Sequence, residues 1–308
     1  MIRNLKKLCL LATFILLSSP ILAQEMLVGT YNIRNKNDGD SIRGEVWGKR
    51  RQVICDQVNF MSPAIFGTQE VLHGQLQDLL HGLRNYRYIG VGRDDGKTKG
   101  EYAAIFYEKN RLRLLDHGDF WLNETPDRPA LGWDAACIRI CTWGKFKDLR
   151  TKQKFYFFNL HMDHVGRVAR REGARLVVSK IREIAGKKPV VLTGDFNVDQ
   201  TDEIYSIFTE SGILMDSYAV APVRFAENGT FNDYKPMLKT SSRIDHVFVS
   251  PSVHVDAYGV LTDSYWTPNT DSAHLQKATD APQEISFGSY TRRNPSDHYP
   301  VMVRIRWK

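Results

Sequence analysis

The chain has 308 residues, with 42 Lys and Arg against 35 Asp and Glu. It holds no internal repeat, no low-complexity tract and no long run of like charge, which excludes fibrous chains and charged interaction tails. Its four cysteines include no CxxC pair, which argues against a structural zinc site and leaves an apolar core as the main source of stability.

Arg3, Lys6 and Lys7 open the chain, and Leu8 to Leu17 is almost wholly apolar. Ile-Leu-Ala at 21–23 then offers a cleavage site before Gln24, so residues 1–23 read as a signal peptide. The apolar run is short for a membrane span. No cysteine follows the cleavage site for a lipid anchor. The expected mature protein is one domain over 24–308, periplasmic or secreted, with no membrane insertion after cleavage. Its net charge of about +4 permits a polyanionic partner without requiring one. No protein partner is inferable.

The elements alternate from there. MLVGTYNI at 26–33 reads as a strand, and 45–61 as a helix with Trp47, Ile54, Val58 and Met61 on one face. AIFGTQE at 64–70 is a buried strand, QLQDLLHGL at 75–83 a helix, and 102–108 with 111–116 a hairpin. AACIRICTWGKF and KFYFFNLHMDH are two further strands joined at Lys147 to Lys154. On one strand, Cys137 and Cys141 would lie about 13 Å apart, too far for a disulfide. Residues 168–185 form an amphipathic helix, PVVLTGDFN a buried strand, and 202–211 a helix. RIDHVFVS, HVDAYGVL and YPVMVRIRW complete the set. This order predicts a layered α/β sandwich. The long segment 262–296, with Trp266, Tyr290, Arg292 and Arg293, lacks periodicity and reads as a loop facing the substrate.

Chemistry concentrates in GTQEV at 67–71, NLHMDH at 159–164, TGDFNVD at 193–199 and PSDHYPV at 295–301. Glu70 ends a buried strand, where a carboxylate is costly unless paired or bound to a cation. Asp195 and Asn197, two apart, would share one face of a strand, as would His161 and Asp163, with His164 opposite. Asp245 precedes an apolar strand, its neighbour His246 points outward, and Asp297 and His298 open the last strand. Acid, amide and imidazole at strand ends are what a hydrolase needs to hold a hard divalent cation and to move protons.

These motifs, with TYNIR at 30–34, resemble the endonuclease/exonuclease/phosphatase superfamily, the pancreatic-deoxyribonuclease-like fold. FWLNETPDRPALGWD at 120–134, followed by Arg139, is similar to a bacterial secreted subgroup related to nocturnin-type deadenylases. The resemblance implies a four-layer α/β/β/α sandwich of two packed, mostly antiparallel sheets, with the site at one end. It implies that Glu70 is the main Mg²⁺ ligand, assisted by Asn32, with Asp297 beside the metal and Mn²⁺ an acceptable substitute. Asp195 and Asn197 would position water and phosphate, His298 would pair with Asp245, and Glu101 would orient His161. Arg34 stands where some superfamily nucleases carry an extra acid, which argues against a second strong metal site.

The expected activity is therefore Mg²⁺-dependent phosphoester hydrolysis, first of nucleic acid or nucleotide diesters. Arg139, Trp266, Tyr290 and Arg292 would contact that substrate. Phospholipid (sphingomyelinase-like) and sugar-phosphate esters are the alternatives. A non-catalytic binding module is a remote third, since none of the expected acids and imidazoles is missing.

Overall fold

The computed structural model describes residues 25–269, 276–277, 279–280 and 282–308; the expected leader lies outside them. Seven strands form one sheet: β1 (Met26–Asn32), β2 (Ile65–Gln69), β3 (Tyr86–Ile89), β4 (Ile105–Glu108), β10 (Val223–Phe225), β12 (Val253–Val260) and β17 (Val301–Trp307). Six form the other: β5 (Leu112–Trp121), β6 (Ile140–Asp148), β7 (Lys154–His161), β8 (Val190–Asp195), β9 (Met215–Asp216) and β11 (Asp245–Val249). Their orders are β10-β12-β17-β1-β2-β4-β3 and β5-β6-β7-β8-β11-β9, with parallel pairing at β1–β2, β10–β12 and β7–β8 and antiparallel pairing elsewhere.

Strand alternation explains the layering. Val28, Ile65, Phe157, Val191 and Val247 point inward and make the core between the sheets. Outward residues of the first sheet, such as Tyr31, Phe66 and Phe106, pack with the helices Trp47–Met61 and His73–Gly82. Outward residues of the second, such as Phe158, Leu192 and Phe248, pack with Arg167–Ala185 and Glu203–Thr209. The result is the expected four-layer α/β/β/α sandwich.

The same period of two carries each inward face from apolar core to polar floor. It runs Val28, Thr30, Asn32 on β1; Phe157, Asn159, His161 on β7; and Val191, Thr193, Asp195 on β8. The middle rung is a buried polar lock between the sheets. Gln69 Nε2 donates to Asn159 Oδ1 at 2.6 Å, and Thr193 Oγ1 donates to the same oxygen at 3.1 Å. Asn159 Nδ2 donates to the carbonyls of Thr68 and Ala104 at 2.9 and 3.0 Å. Gly67 permits this closeness, because a Cβ there would overlap Asn159 Oδ1.

Three local expectations fail. The hairpin expected over 102–116 does not form: β4 is flanked by β2 and β3, so its edges are filled and β5 pairs instead with β6. Cys137 precedes β6 and does not share a strand with Cys141; both are free thiols. His246 points outward from its sheet as expected, into the helical layer, where it is 1% exposed and donates from Nε2 to the Val198 carbonyl at 2.8 Å. Segment 262–296 contains an antiparallel ribbon of β13 (Tyr265–Pro268) and β16 (Tyr290–Arg293), besides the short pair β14 (Gln276–Lys277) and β15 (Ser286–Phe287). Residues 270–275, 278 and 281 of that segment lie outside the described chain. No helix of the described residues is long and apolar enough to cross a membrane.

Candidate active site

Register alone assembles the floor. His161 is the β7 partner of Asp195, and Asp245 is the β11 partner of Asp195, so three neighbouring strands present His161, Asp195 and Asp245 in one row. Two like charges directly across a ladder repel. His298 resolves this: its Nδ1 donates to Asp245 Oδ2 at 2.8 Å, and its Nε2 lies 3.7 Å from Asp195 Oδ2. The ring stands edge-on to Phe231, with centroids 5.0 Å apart. Burial lowers the affinity of His298 for a proton, but Asp245 and Asp195 more than reverse that, and its pKa lies well above the ordinary value.

His161 goes the other way. Burial first, then Arg139, Arg93 and His298, hold its pKa well below the ordinary value, so this imidazole is neutral. Asn197 Nδ2 donates to its Nε2 at 3.2 Å, which leaves the proton on Nδ1, 3.9 Å from Glu101 Oε2. Glu101 thus faces His161 as expected but beyond hydrogen-bond reach; its carboxylate accepts from Arg93 and Asn35. One site holds a charged and a neutral histidine.

Glu70, Arg34 and Asn197 have φ of 62°, 58° and 48°, the left-handed region that side-chain-bearing residues rarely adopt. Such backbone persists where the surroundings enforce it, and sites of function are where it gathers. For Asn197 it overturns the expected shared strand face. The chain turns after Asp195, whose Oδ1 accepts the Asn197 backbone N–H at 2.9 Å, and the amide is brought back over His161. Asp163 and His164 also lie past the end of β7, so alternation does not place them. Asp163 is buried away from the floor, while His164 lines the cavity.

Asn32 Nδ2 donates to Glu70 Oε1 at 3.0 Å and to Asp195 Oδ2 at 2.9 Å, while its Oδ1 accepts from the Arg34 backbone N–H at 3.0 Å. The oxygen expected on a metal is therefore engaged, and Asn32 acts here as the link between two carboxylates. Glu70, Asp195 and His298 each offer an atom within 4.8 Å of the others. A charged His298 is no ligand, which leaves Glu70 and Asp195, with Asp297 reached through Arg34 Nη1 at 3.4 Å from its Oδ2. Burial, and then Asp245, raise the Asp195 carboxyl above its ordinary range against the opposing pull of His298, Asn32 and Asn197. A desolvated, undercompensated set of oxygens fits a hard divalent cation.

The floor opens into a cavity of about 460 Å³. Arg34, Arg43, Arg93 and Arg139 line it, with Cys137 and Tyr234 among the residues the motifs did not signal. Arg139 is 4% exposed; its Nη2 meets His164 Nδ1 at 3.0 Å, and its Nη1 has no hydrogen-bond partner among the described residues. Trp266, Tyr290 and Arg292, expected to contact substrate, do not line this cavity. Trp266 and Arg292 are ribbon partners, Trp266 and Tyr290 are 60% and 50% exposed, and Arg292 Nε donates to Ser264 Oγ at 2.7 Å. Elsewhere on the ribbon, Arg293 pairs with Glu45 at 2.5 Å.

Asp163 sets the Arg139 side of the rim. Its Oδ1 accepts from the backbone of Val165 and Gly166 at 2.9 and 2.7 Å, and its Oδ2 from Ala136 at 3.1 Å and Arg139 Nε at 3.4 Å. Burial alone would raise this acid, but those backbone donors and Arg139 bring it from 3.8 down to about 2. A depressed folded-state pKa stabilises above the unfolded value, and that contribution is lost as pH falls through the folded one. Asp163→Asn should therefore cost about 2 kcal/mol near neutrality. Urea denaturation from pH 7 to 3 should show the gap closing below about pH 4. A gap that stays constant would mean that the charge is not its source.

The sequence profile of the Endonuclease/Exonuclease/phosphatase family matches residues 29–298. The chain is similar to a mannosyl-6-phosphatase from Bacteroides thetaiotaomicron, at 49% identity and TM-score 0.84, covering 92% of this chain and 100% of that one. A family protein of solved structure from the same organism is 48% identical, with TM-score 0.85 and coverage of 92% and 98%. Nocturnin of Drosophila melanogaster is 21% identical over 92% of this chain, which spans 46% of that protein's length. With the matched profile running through every motif on the floor, the chain belongs to the Endonuclease/Exonuclease/phosphatase family and is a metal-dependent phosphoester hydrolase.

Proposed function

We propose that the protein is an exported, Mg²⁺-dependent phosphomonoesterase acting on a compact phosphorylated sugar. The observation that carries this reading is the small cavity lined by four arginines, Arg34, Arg43, Arg93 and Arg139. Guanidinium groups recognise phosphate oxygens through charge-assisted hydrogen bonds. The cavity volume suits a small ligand. Nucleic acid diesters, the first expectation from the sequence, rank lower because the aromatics meant to stack on bases sit outside the cavity. The likeness to a mannosyl-6-phosphatase supports the sugar reading, and the leader at 1–23 supports export.

Glu70 would hold the cation, which when bound neutralises phosphate charge and activates water. Arg139 and Arg93 receive the phosphate, and Asn197 and His161 fix one face of it. Charged His298, steadied by Asp245, gives its Nε2 proton to the ester oxygen as the P–O bond to the sugar breaks, so the sugar leaves as an alcohol. Asp195 accepts the proton of the attacking water. The test is hydrolysis by protein beginning at Gln24 with Mg²⁺ of mannose 6-phosphate, bis-p-nitrophenyl phosphate, RNA and sphingomyelin. The sugar monoester should exceed every diester in kcat/KM by at least about tenfold, the scale of discrimination by a shaped pocket. Equal or faster diester cleavage would refute the proposal.

A further inference from the structure

We infer that Arg34 selects monoesters over diesters, an assignment that rests on the monoesterase reading above. At neutral pH a phosphate monoester is mainly a dianion with three terminal oxygens. A diester is a monoanion with two. A residue that tells them apart must supply a fixed positive charge and spare N–H groups at the third oxygen.

Arg34 is built for that task. Its Nε and Nη2 donate to Asp40 Oδ2 and Oδ1 at 2.8 and 3.4 Å, which fixes the plane of the guanidinium. Asp40 is 1% exposed and is itself held by Asn37 Nδ2 at 2.7 Å. A second arginine, Arg43, pairs with the same carboxylate, so Asp40 does not by itself cancel the charge of Arg34. The backbone is held as firmly: Arg50 Nη2 and Gln75 Nε2 donate to the Arg34 carbonyl at 3.3 and 3.0 Å.

Nη1 has no hydrogen bond among the described residues and lies in ion-pair range of two acids. It reaches into the cavity between Glu70 Oε2 at 3.8 Å and Asp297 Oδ2 at 3.4 Å, and the side chain is 30% exposed there. A fixed cation thus occupies the corner where an additional acid would have recruited a second metal ion. Both Arg34 and Arg43 line the cavity that would receive the phosphate. A diester would place an ester carbon against Nη1 and leave its N–H groups unpaired, the kind of mismatch by which polar sites discriminate strongly.

The experiment compares Arg34→Gln, Arg34→Lys and the parent enzyme on p-nitrophenyl phosphate and bis-p-nitrophenyl phosphate at saturating Mg²⁺, with inhibition by orthophosphate as a second readout. The monoester-to-diester ratio of kcat/KM should fall about 10- to 100-fold in Arg34→Gln, the scale of a hydrogen bond to a charged group. Orthophosphate inhibition should weaken by a similar factor, and Arg34→Lys should recover part of both. A parent enzyme that prefers the diester would overturn the monoesterase reading itself. A parent monoester preference that Arg34→Gln leaves within about threefold would overturn the Arg34 assignment alone, and equal losses on both substrates would make Arg34 a brace for Glu70 and Asp297.

Discussion

His298→Ala is expected to lower kcat for phosphoester hydrolysis by about 10²- to 10⁴-fold, with much less change in KM. The imidazolium sits between Asp245 and Asp195, so its charge is maintained where negative charge builds on the phosphate. Alanine removes the donor and also leaves two register-paired carboxylates, Asp195 and Asp245, without the cation between them. Asp245→Asn should give a smaller loss, again mainly in kcat, because it loosens the ring and removes its charge support. Single-turnover kinetics would separate these effects from product release. A parent-like turnover rate in His298→Ala would remove the residue from the mechanism.

Glu70→Gln should raise the metal concentration needed for half-maximal activity by at least about 100-fold, while the melting temperature in chelator stays level or rises. The amide has the shape of the acid, so the left-handed backbone at Glu70 can persist, and its single carbonyl keeps one of the two N–H donors, Asn32 Nδ2 and the Asn35 backbone, that Glu70 accepts. It removes one negative charge from a desolvated group of acids, which eases repulsion in the metal-free protein. Titration calorimetry with Mn²⁺ would measure the affinity, and thermal melts in chelator the stability. A fall of several degrees in chelator would instead identify Glu70 as a structural partner of Arg34, 3.8 Å away.

Strand alternation made the floor legible as far as the strands extend. PVVLTG leads directly to Asp195, and KFYFFNL to His161, so an apolar run delivers each group to a predictable end and face. Past those ends the rule expires, and that is where Asn197, Asp163 and His164 departed from expectation. Their places are set by a turn at positive φ and by hydrogen bonds to distant residues, neither of which leaves a local pattern. Trp266 and Tyr290 were misplaced because the composition of a loop does not reveal a ribbon. Asn159 left no signal either, since a lone polar residue within KFYFFNLH reads as an ordinary strand position. Its role exists through Gln69 and Thr193, which belong to two other strands.

Ser296 Oγ donates to the Asn32 carbonyl across 264 positions of sequence, and the fully buried Arg50 donates to the Pro295 carbonyl across 245. β17 lies inside its sheet, between β12 and β1, so this closure requires a strand inserted into the middle rather than added at an edge. Contacts this remote form slowly, after local structure is in place. Asp297 and His298 lead directly into β17, so the floor is complete only once that strand has taken its place between its two neighbours.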